Sequence, residues 1–149
     1  MDIGGELPRS RSFPDLNAGN HRITSDRSDS YNCIAWAAGD DTRWWWPDEE
    51  LGISHWPEGI TRSEDLDGFV SAFASLGYEA CENADLEAGF EKIAIYVRDG
   101  LPTHAARQLP DGAWTSKLGQ GFDIRHSLEA IEGSGYGLAF LFLVRSVDS

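Results

Sequence analysis

The 149-residue sequence has few basic residues, two cysteines and no long apolar run. Twelve Lys and Arg stand against 25 Asp and Glu, and the resulting net charge of −13 repels phosphate backbones and anionic lipid. The longest apolar run, Leu138–Val144, is far too short to cross a bilayer. We therefore expect no nucleic-acid partner and no membrane association.

Cys33 and Cys81 are too few for a disulfide framework, and their spacing matches no zinc motif. The four histidines include no i, i+4 pair of the kind that binds zinc on a helix. The sequence thus predicts a reduced interior with no metal and no cofactor. Since the first residues carry no basic patch before an apolar run, we expect no signal peptide and a cytoplasmic location, with non-classical export left open.

The composition changes along the chain in a way that predicts one domain with an N-terminal arm. Residues 1–30 are rich in Ser, Asp, Arg, Asn and Gly, which indicates an extended arm ahead of a single domain over 31–149. A first helix is predicted over 30–39, capped by Ser30 or Asp29. A second helix follows a capping-box pattern at 61–64, because apolar residues recur at i, i+3, i+4 and i+7 from Leu66.

Downstream of the two helices, the sequence alternates between apolar runs and turn residues. This pattern predicts a series of strands, a short helix over 127–132 and a last strand, 138–144, that is central or covered on both sides because both of its faces are apolar. The earlier strands are expected at 78–81, 92–97, 103–109 and 113–118. Helices segregated from an antiparallel sheet of about four to five strands define the α+β class.

The most informative residues are a cysteine near a helix start and a histidine at a strand start. Cys33 lies in the first turn of the predicted helix, where free backbone N–H groups and a nearby imidazole lower a thiol pKa. His104 follows Gly100–Thr103 at the start of a strand. If the two side chains meet, Cys33 is a nucleophile and His104 its base.

A catalytic imidazole needs a third group that fixes its tautomer. A turn at 110–112 places Leu109 opposite Ala113, which makes Ser116 a diagonal neighbour of His104 on one face of the sheet. Asp123 is the competing candidate, since the loop before it can bring it back.

Asn32-Cys33 opening a short helix, followed by Pro102-Thr103-His104-Ala105-Ala106 on a sheet, resembles the papain-like cysteine peptidase and amidohydrolase superfamily. The closest likeness is to its compact bacterial cell-wall amidases and endopeptidases, and to small bacterial proteins with the same Asn-Cys and Thr-His segments. The resemblance spans about 31–145. It implies a papain-like fold with helices packed on the sheet.

The same resemblance implies a catalytic set of Cys33, His104 and Ser116, although that superfamily usually has Asn, Asp, His, Gln or Glu at the third position. No Gln precedes Cys33 to hold an oxyanion. The candidate oxyanion and substrate-binding residues are Asn32, Trp36, Trp114 and Lys117.

Two functions follow from these residues. The first is a thiol hydrolase that cleaves or deamidates an amide bond through an acyl-enzyme, on a peptide, a cell-wall crosslink or a glutamine side chain. The alternative is a non-catalytic acidic protein of the immunity or inhibitor type, which binds a basic protein.

Overall fold

The computed structural model of the chain describes residues 21–24, 30–47, 54–117, 123–132 and 136–146. Within these ranges the chain forms one antiparallel sheet of seven strands and two short α-helices. The strands are β1 His21–Ile23, β2 Glu79–Cys81, β3 Phe90–Arg98, β4 Leu101–Gln108, β5 Trp114–Lys117, β6 Asp123–His126 and β7 Leu138–Ser146. The helices are α1 Cys33–Ala37 and α2 Leu66–Ala74, and a 3-10 helix covers Leu128–Ile131.

The strands lie in the order β1-β6-β5-β4-β3-β7-β2. A tight turn joins β3 to β4, where Asp99 and Gly100 adopt φ of 53° and 81°, as a type I′ hairpin turn requires. β4 pairs with β5 at Arg107–Thr115 and Gln108–Trp114, which confirms the register that the sequence predicts for this hairpin. The meander β3-β4-β5-β6 thus forms the centre of the sheet.

Both helices begin at a side-chain cap. Asn32 caps α1 by accepting from the Ala35 N–H at 3.2 Å, so the expected cap at Ser30 or Asp29 is wrong. Asp65 caps α2 by accepting from the Gly68 N–H at 2.8 Å, one residue beyond the expected capping box. The predicted apolar face of α2 is confirmed, since Phe69 and Phe73 are buried.

The helices cover one face of the sheet, and alternation along the strands sorts the core into two clusters. The helix-side cluster joins α1 and α2 to the odd-numbered positions of the central strands, among them Ile93, Ile95 and Ala105. The opposite cluster is built from Ala94, Tyr96, Ala106, Trp114 and Ile124, with the 3-10 helix packed over it.

The expected papain-like α+β arrangement, with N-terminal helices packed on four to five strands, is wrong. The helices span five and nine residues, and the sheet of seven strands dominates the fold. The sequence-based strand count is too low because β1 and β6 are short and mostly polar, with one apolar residue each. A strand with a single apolar residue shows no alternation of apolar and polar residues, so the sequence pattern does not predict it.

β7 meets one of the two alternatives expected for the last strand. It lies inside the sheet between β3 and β2, as a central strand does, but Leu138 and Phe140 are each 63% exposed, so it is not covered on both sides. Of the predicted arm 1–30, residues 1–20 and 25–29 lie outside the described residues, and 21–23 form edge strand β1, paired with β6. No described helix is long and apolar enough to cross a membrane.

Candidate functional site

Cys33 is the first residue of α1 and opens onto a cavity of about 520 Å³. The cavity lies between the start of α1, the segment Trp44–Trp46 (the tryptophan loop), the start of β4 and Tyr136 just before β7. Its lining residues are Asn32, Cys33, Trp44, Trp46, Ser54, Glu64, Thr103 and Tyr136. Three of these eight residues are aromatic and four carry amide, hydroxyl or carboxylate groups, and a wall of rings with convergent polar groups is usual for a small-molecule site.

Two side chains hold the wall of the cavity in place. The Asn32 amide donates to the Trp45 carbonyl at 2.8 Å and accepts from the Trp45 N–H at 3.0 Å, which ties the tryptophan loop to the start of α1. The Arg62 guanidinium donates to the carbonyls of Trp46 and Ser54 at 3.3 and 2.8 Å. These bonds fix a rim that would otherwise be an irregular loop.

The Cys33 thiol is protonated at neutral pH. Burial raises its pKa from 9.0 to about 11, although the backbone N–H groups of Ala105 and Ile34 and the charge of Lys117 act in the other direction. The expected lowering by the helix N-terminus is therefore outweighed by desolvation. A nucleophilic role for Cys33 requires a base that removes the proton during attack.

His104 is fully buried, and burial, followed by the charge of His126, lowers the pKa of its imidazole well below 6.5. Its Nε2 lies 2.9 Å from Ser116 Oγ, and Ser116 Oγ lies 2.7 Å from His126 Nε2. His126 Nδ1 lies 2.6 Å from the Ser127 carbonyl oxygen. A chain of hydrogen bonds therefore runs from a backbone carbonyl to His104.

The direction of this chain follows from its last acceptor. Because a carbonyl oxygen only accepts, His126 Nδ1 carries the hydrogen, and with both rings neutral its Nε2 accepts from the Ser116 hydroxyl. Ser116 then accepts from His104 Nε2–H, which leaves His104 Nδ1 with a bare lone pair. Among the described residues that nitrogen is buried without a hydrogen-bond partner.

Cys33 and His104 lie on either side of the backbone of β4. The Ala105 N–H points at the Cys33 sulfur, and Ala105 follows His104 in the chain. The side chains of His104 and Ala105 point to opposite faces of the sheet. Ala105 therefore lies in the helix-side cluster with Cys33, while His104 contacts Tyr96 on the other face. Within the described part of the chain no hydrogen bond joins Cys33 to His104.

Tyr136 connects the two residues. It lines the cavity together with Cys33, and its ring stacks on His104 with centroids 4.1 Å apart and planes 11° apart. Burial raises the pKa of its phenol, so Tyr136 is neutral at physiological pH.

A family model for a domain of unknown function, DUF7689, matches residues 22–143. The chain belongs to the DUF7689 family. No curated protein and no solved structure matches it. In this DUF7689 domain the matched range contains Cys33, His104, Ser116, His126 and Tyr136, so the candidate site lies inside the part that defines the family.

The other predicted site residues of the DUF7689 domain lie away from the cavity lining. Trp36 donates from Nε1 to Thr115 Oγ1 at 3.0 Å, and the Lys117 ammonium lies 5.2 Å from the centre of the Tyr31 ring. Trp114 is buried in the opposite cluster. Asp123, the competing third residue, accepts from the Tyr31 hydroxyl.

Several residues of the site are not predicted from the sequence, among them His126, Tyr136 and Glu64. The sequence suggests His126 only as a candidate metal ligand, because it does not predict β6, the strand on which His126 lies. Tyr136 lies just before β7 and Glu64 just before α2, and both line the cavity. No local sequence pattern predicts this role for either residue. Because Trp114 pairs with His126, the side chains of His126 and Ser116 lie on the same face of the sheet. A sequence signal for β6 would have been needed to predict this.

Proposed function

We propose that the chain is a thiol hydrolase that cleaves or deamidates an amide bond, with Cys33 as nucleophile and His104 as general base. One observation carries this proposal. The chain from the Ser127 carbonyl through His126 and Ser116 leaves a bare Nδ1 on the histidine whose neighbour, Ala105, donates to the Cys33 sulfur. This is the tautomer that a general base needs.

The thiol is protonated at rest, so the proton moves when the bond forms. Cys33 Sγ attacks the amide carbonyl carbon while its proton passes to His104 Nδ1, and the Ser116 hydroxyl continues to accept from Nε2–H. The imidazolium then protonates the leaving nitrogen, and the C–N bond breaks. Water attacks the thioester with His104 again as base, releasing the acid and the free thiol.

The proton transfer requires His104 Nδ1 to come within hydrogen-bond distance of the sulfur. Tyr136 is a side chain that contacts both the cavity and the imidazole. Because His104 lies on the other face of β4, the proposed transfer requires Tyr136 to move aside and the imidazole to rotate toward Cys33 when substrate binds. The nearest donors for an oxyanion are the backbone N–H groups of Cys33 and Ala105, with the second hydrogen of Asn32 Nδ2 beside them.

The test is acyl-enzyme formation from an activated ester, followed by intact mass and peptide mapping. Wild-type protein should acetylate at Cys33 with para-nitrophenyl acetate and lose the acetyl group in minutes. Cys33→Ser should abolish the adduct, and His104→Gln should slow both acylation and its loss about 100-fold. Cys81→Ser is the matched control, since Cys81 does not line the cavity. Equal rates for wild type and His104→Gln would refute the proposal.

The second candidate is the non-catalytic acidic binder, favoured by the raised pKa of the buried thiol and the net charge of −13. It predicts no acyl-enzyme and a salt-sensitive complex with a basic protein such as cytochrome c, whose affinity is equal for wild type and Cys33→Ser.

A further inference from the structure

We infer that the cavity over Cys33 selects substrates that carry a positive charge beside the scissile amide, held by Glu64 against the rings of Trp44 and Trp46. This inference rests on the proposed function, because it names the substrate class of the same site. The group recognised is an ammonium or a guanidinium, as in a lysine, an arginine or a free amino terminus.

The charge of the cavity wall points to a cation. Glu64 is the charged side chain among the residues that line the cavity, and among the described residues it makes no ion pair. The other polar lining groups are an amide, two hydroxyls, a phenol and the protonated thiol, all neutral at pH 7. Glu64 itself is exposed to solvent, so its carboxylate can attract a cation from solution toward the aromatic wall.

The aromatic part of the wall favours the same ligand. Trp44 and Trp46 are both partly exposed and line the cavity together. Trp46 is held by an edge contact with Phe69, with ring centroids 5.3 Å apart. Indole faces bind alkylammonium and guanidinium groups through the ring quadrupole, and fixed rings lose little freedom on binding.

The cations near the cavity do not reverse this charge. Arg62 donates to the backbone carbonyls of Trp46 and Ser54 and does not line the cavity. Arg43 is paired with Asp40 at 2.9 Å, and Lys117 is buried against the Tyr31 ring. Over the whole chain the excess of 13 negative charges acts in the same direction as Glu64.

The test measures how fast Cys33 reacts with two thiol reagents of similar size and opposite charge. Trimethylammonioethyl and sulfonatoethyl methanethiosulfonate both form a mixed disulfide with the thiol and release methanesulfinate and a proton. Each rate constant at Cys33, read by peptide mass, is divided by that of the same chain unfolded in urea. The cationic reagent should be favoured about tenfold at low salt, and less at high salt.

Glu64→Gln is the deciding variant, and Glu58→Gln is its control because it removes the same charge from an exposed turn outside the cavity lining. The preference should fall about fivefold in Glu64→Gln and stay near the wild-type value in Glu58→Gln. Equal loss in both variants, or no preference in wild type, overturns the inference and leaves the proposed function standing. A Cys33 that neither reagent modifies overturns both.

Discussion

The buried imidazole of His104 makes the stability of the fold sensitive to mild acid. Burial lowers the pKa of His104 well below 6.5 in the folded chain, whereas in the unfolded chain it has its ordinary value. The unfolded chain therefore binds more protons between these two pKa values. The contribution of His104 is fully present above pH 6.5 and is lost as the pH falls toward the folded pKa.

The size of this effect follows from the linkage. One proton taken up on unfolding changes the free energy of unfolding by about 1.4 kcal/mol per pH unit. Below pH 6.5, where the unfolded imidazole is mostly protonated, His104 alone should therefore cost the chain up to about 1.4 kcal/mol per pH unit until the pH reaches the folded pKa. Asp40, whose carboxyl has a pKa lowered by hydrogen bonds from Thr42 and Trp45 against the effect of burial, titrates at lower pH and does not enter this window.

Urea denaturation at pH 5.0, 5.5, 6.0, 6.5 and 7.5 measures the slope. His104→Gln keeps a donor toward Ser116 but removes the titration, so its free energy of unfolding should vary less with pH by about 1 kcal/mol per unit. His55→Gln is the comparison: burial and the charge of Arg43 also lower the pKa of His55, but its side chain is partly exposed, so its removal should change the slope less than that of His104. A slope in His104→Gln equal to that of wild type would refute the burial argument.

Three further changes test the site and the fold. Ser116→Ala leaves His104 Nε2–H and His126 Nε2 without their partner, so urea denaturation should show a loss of about 3 kcal/mol, and Cys33 acylation should slow. Iodoacetamide alkylation of Cys33 should rise steeply between pH 8 and 10 and level off above a pKa of about 11; a plateau at pH 7 contradicts the desolvation argument. Gly137→Ala places a Cβ in a clash with the Val97 carbonyl oxygen and should lower the thermal midpoint more than Gly77→Ala, which shares a positive φ but meets no atom within 4 Å; equal losses would contradict the clash.

The sequence predicts those parts of the fold that have a strong local period. The apolar spacing from Leu66 identifies α2, and the turn at 110–112 identifies both the β4–β5 hairpin and its register. β1 and β6 have no such signal, since each has three or four residues with a single apolar side chain. They become strands because a neighbouring strand satisfies their backbone, which is information that lies elsewhere in the chain.

The candidate site likewise contains one contact that the sequence predicts and others that it does not. The diagonal relation of His104 to Ser116 follows from hairpin register, which the sequence contains, and the structure places these side chains 2.9 Å apart. His126 enters through β6, and Tyr136 enters from the start of β7, 32 residues beyond His104 in the sequence. Neither contact follows from any spacing along the chain. The tautomer of His104 depends on His126, so the sequence does not predict it either.

The protonation of Cys33 shows which physical effect decides the chemistry of the site. A helix N-terminus stabilises a nearby anion by about 0.3–1 kcal/mol, and less when the helix is as short as α1. Burial acts against the thiolate more strongly, since the net change of its pKa from 9.0 to about 11 corresponds to roughly 3 kcal/mol. Desolvation thus outweighs the helix terminus and the backbone donors together. In the proposed hydrolase the thiol would therefore have to give its proton to a neutral base, and burial also keeps His104 neutral.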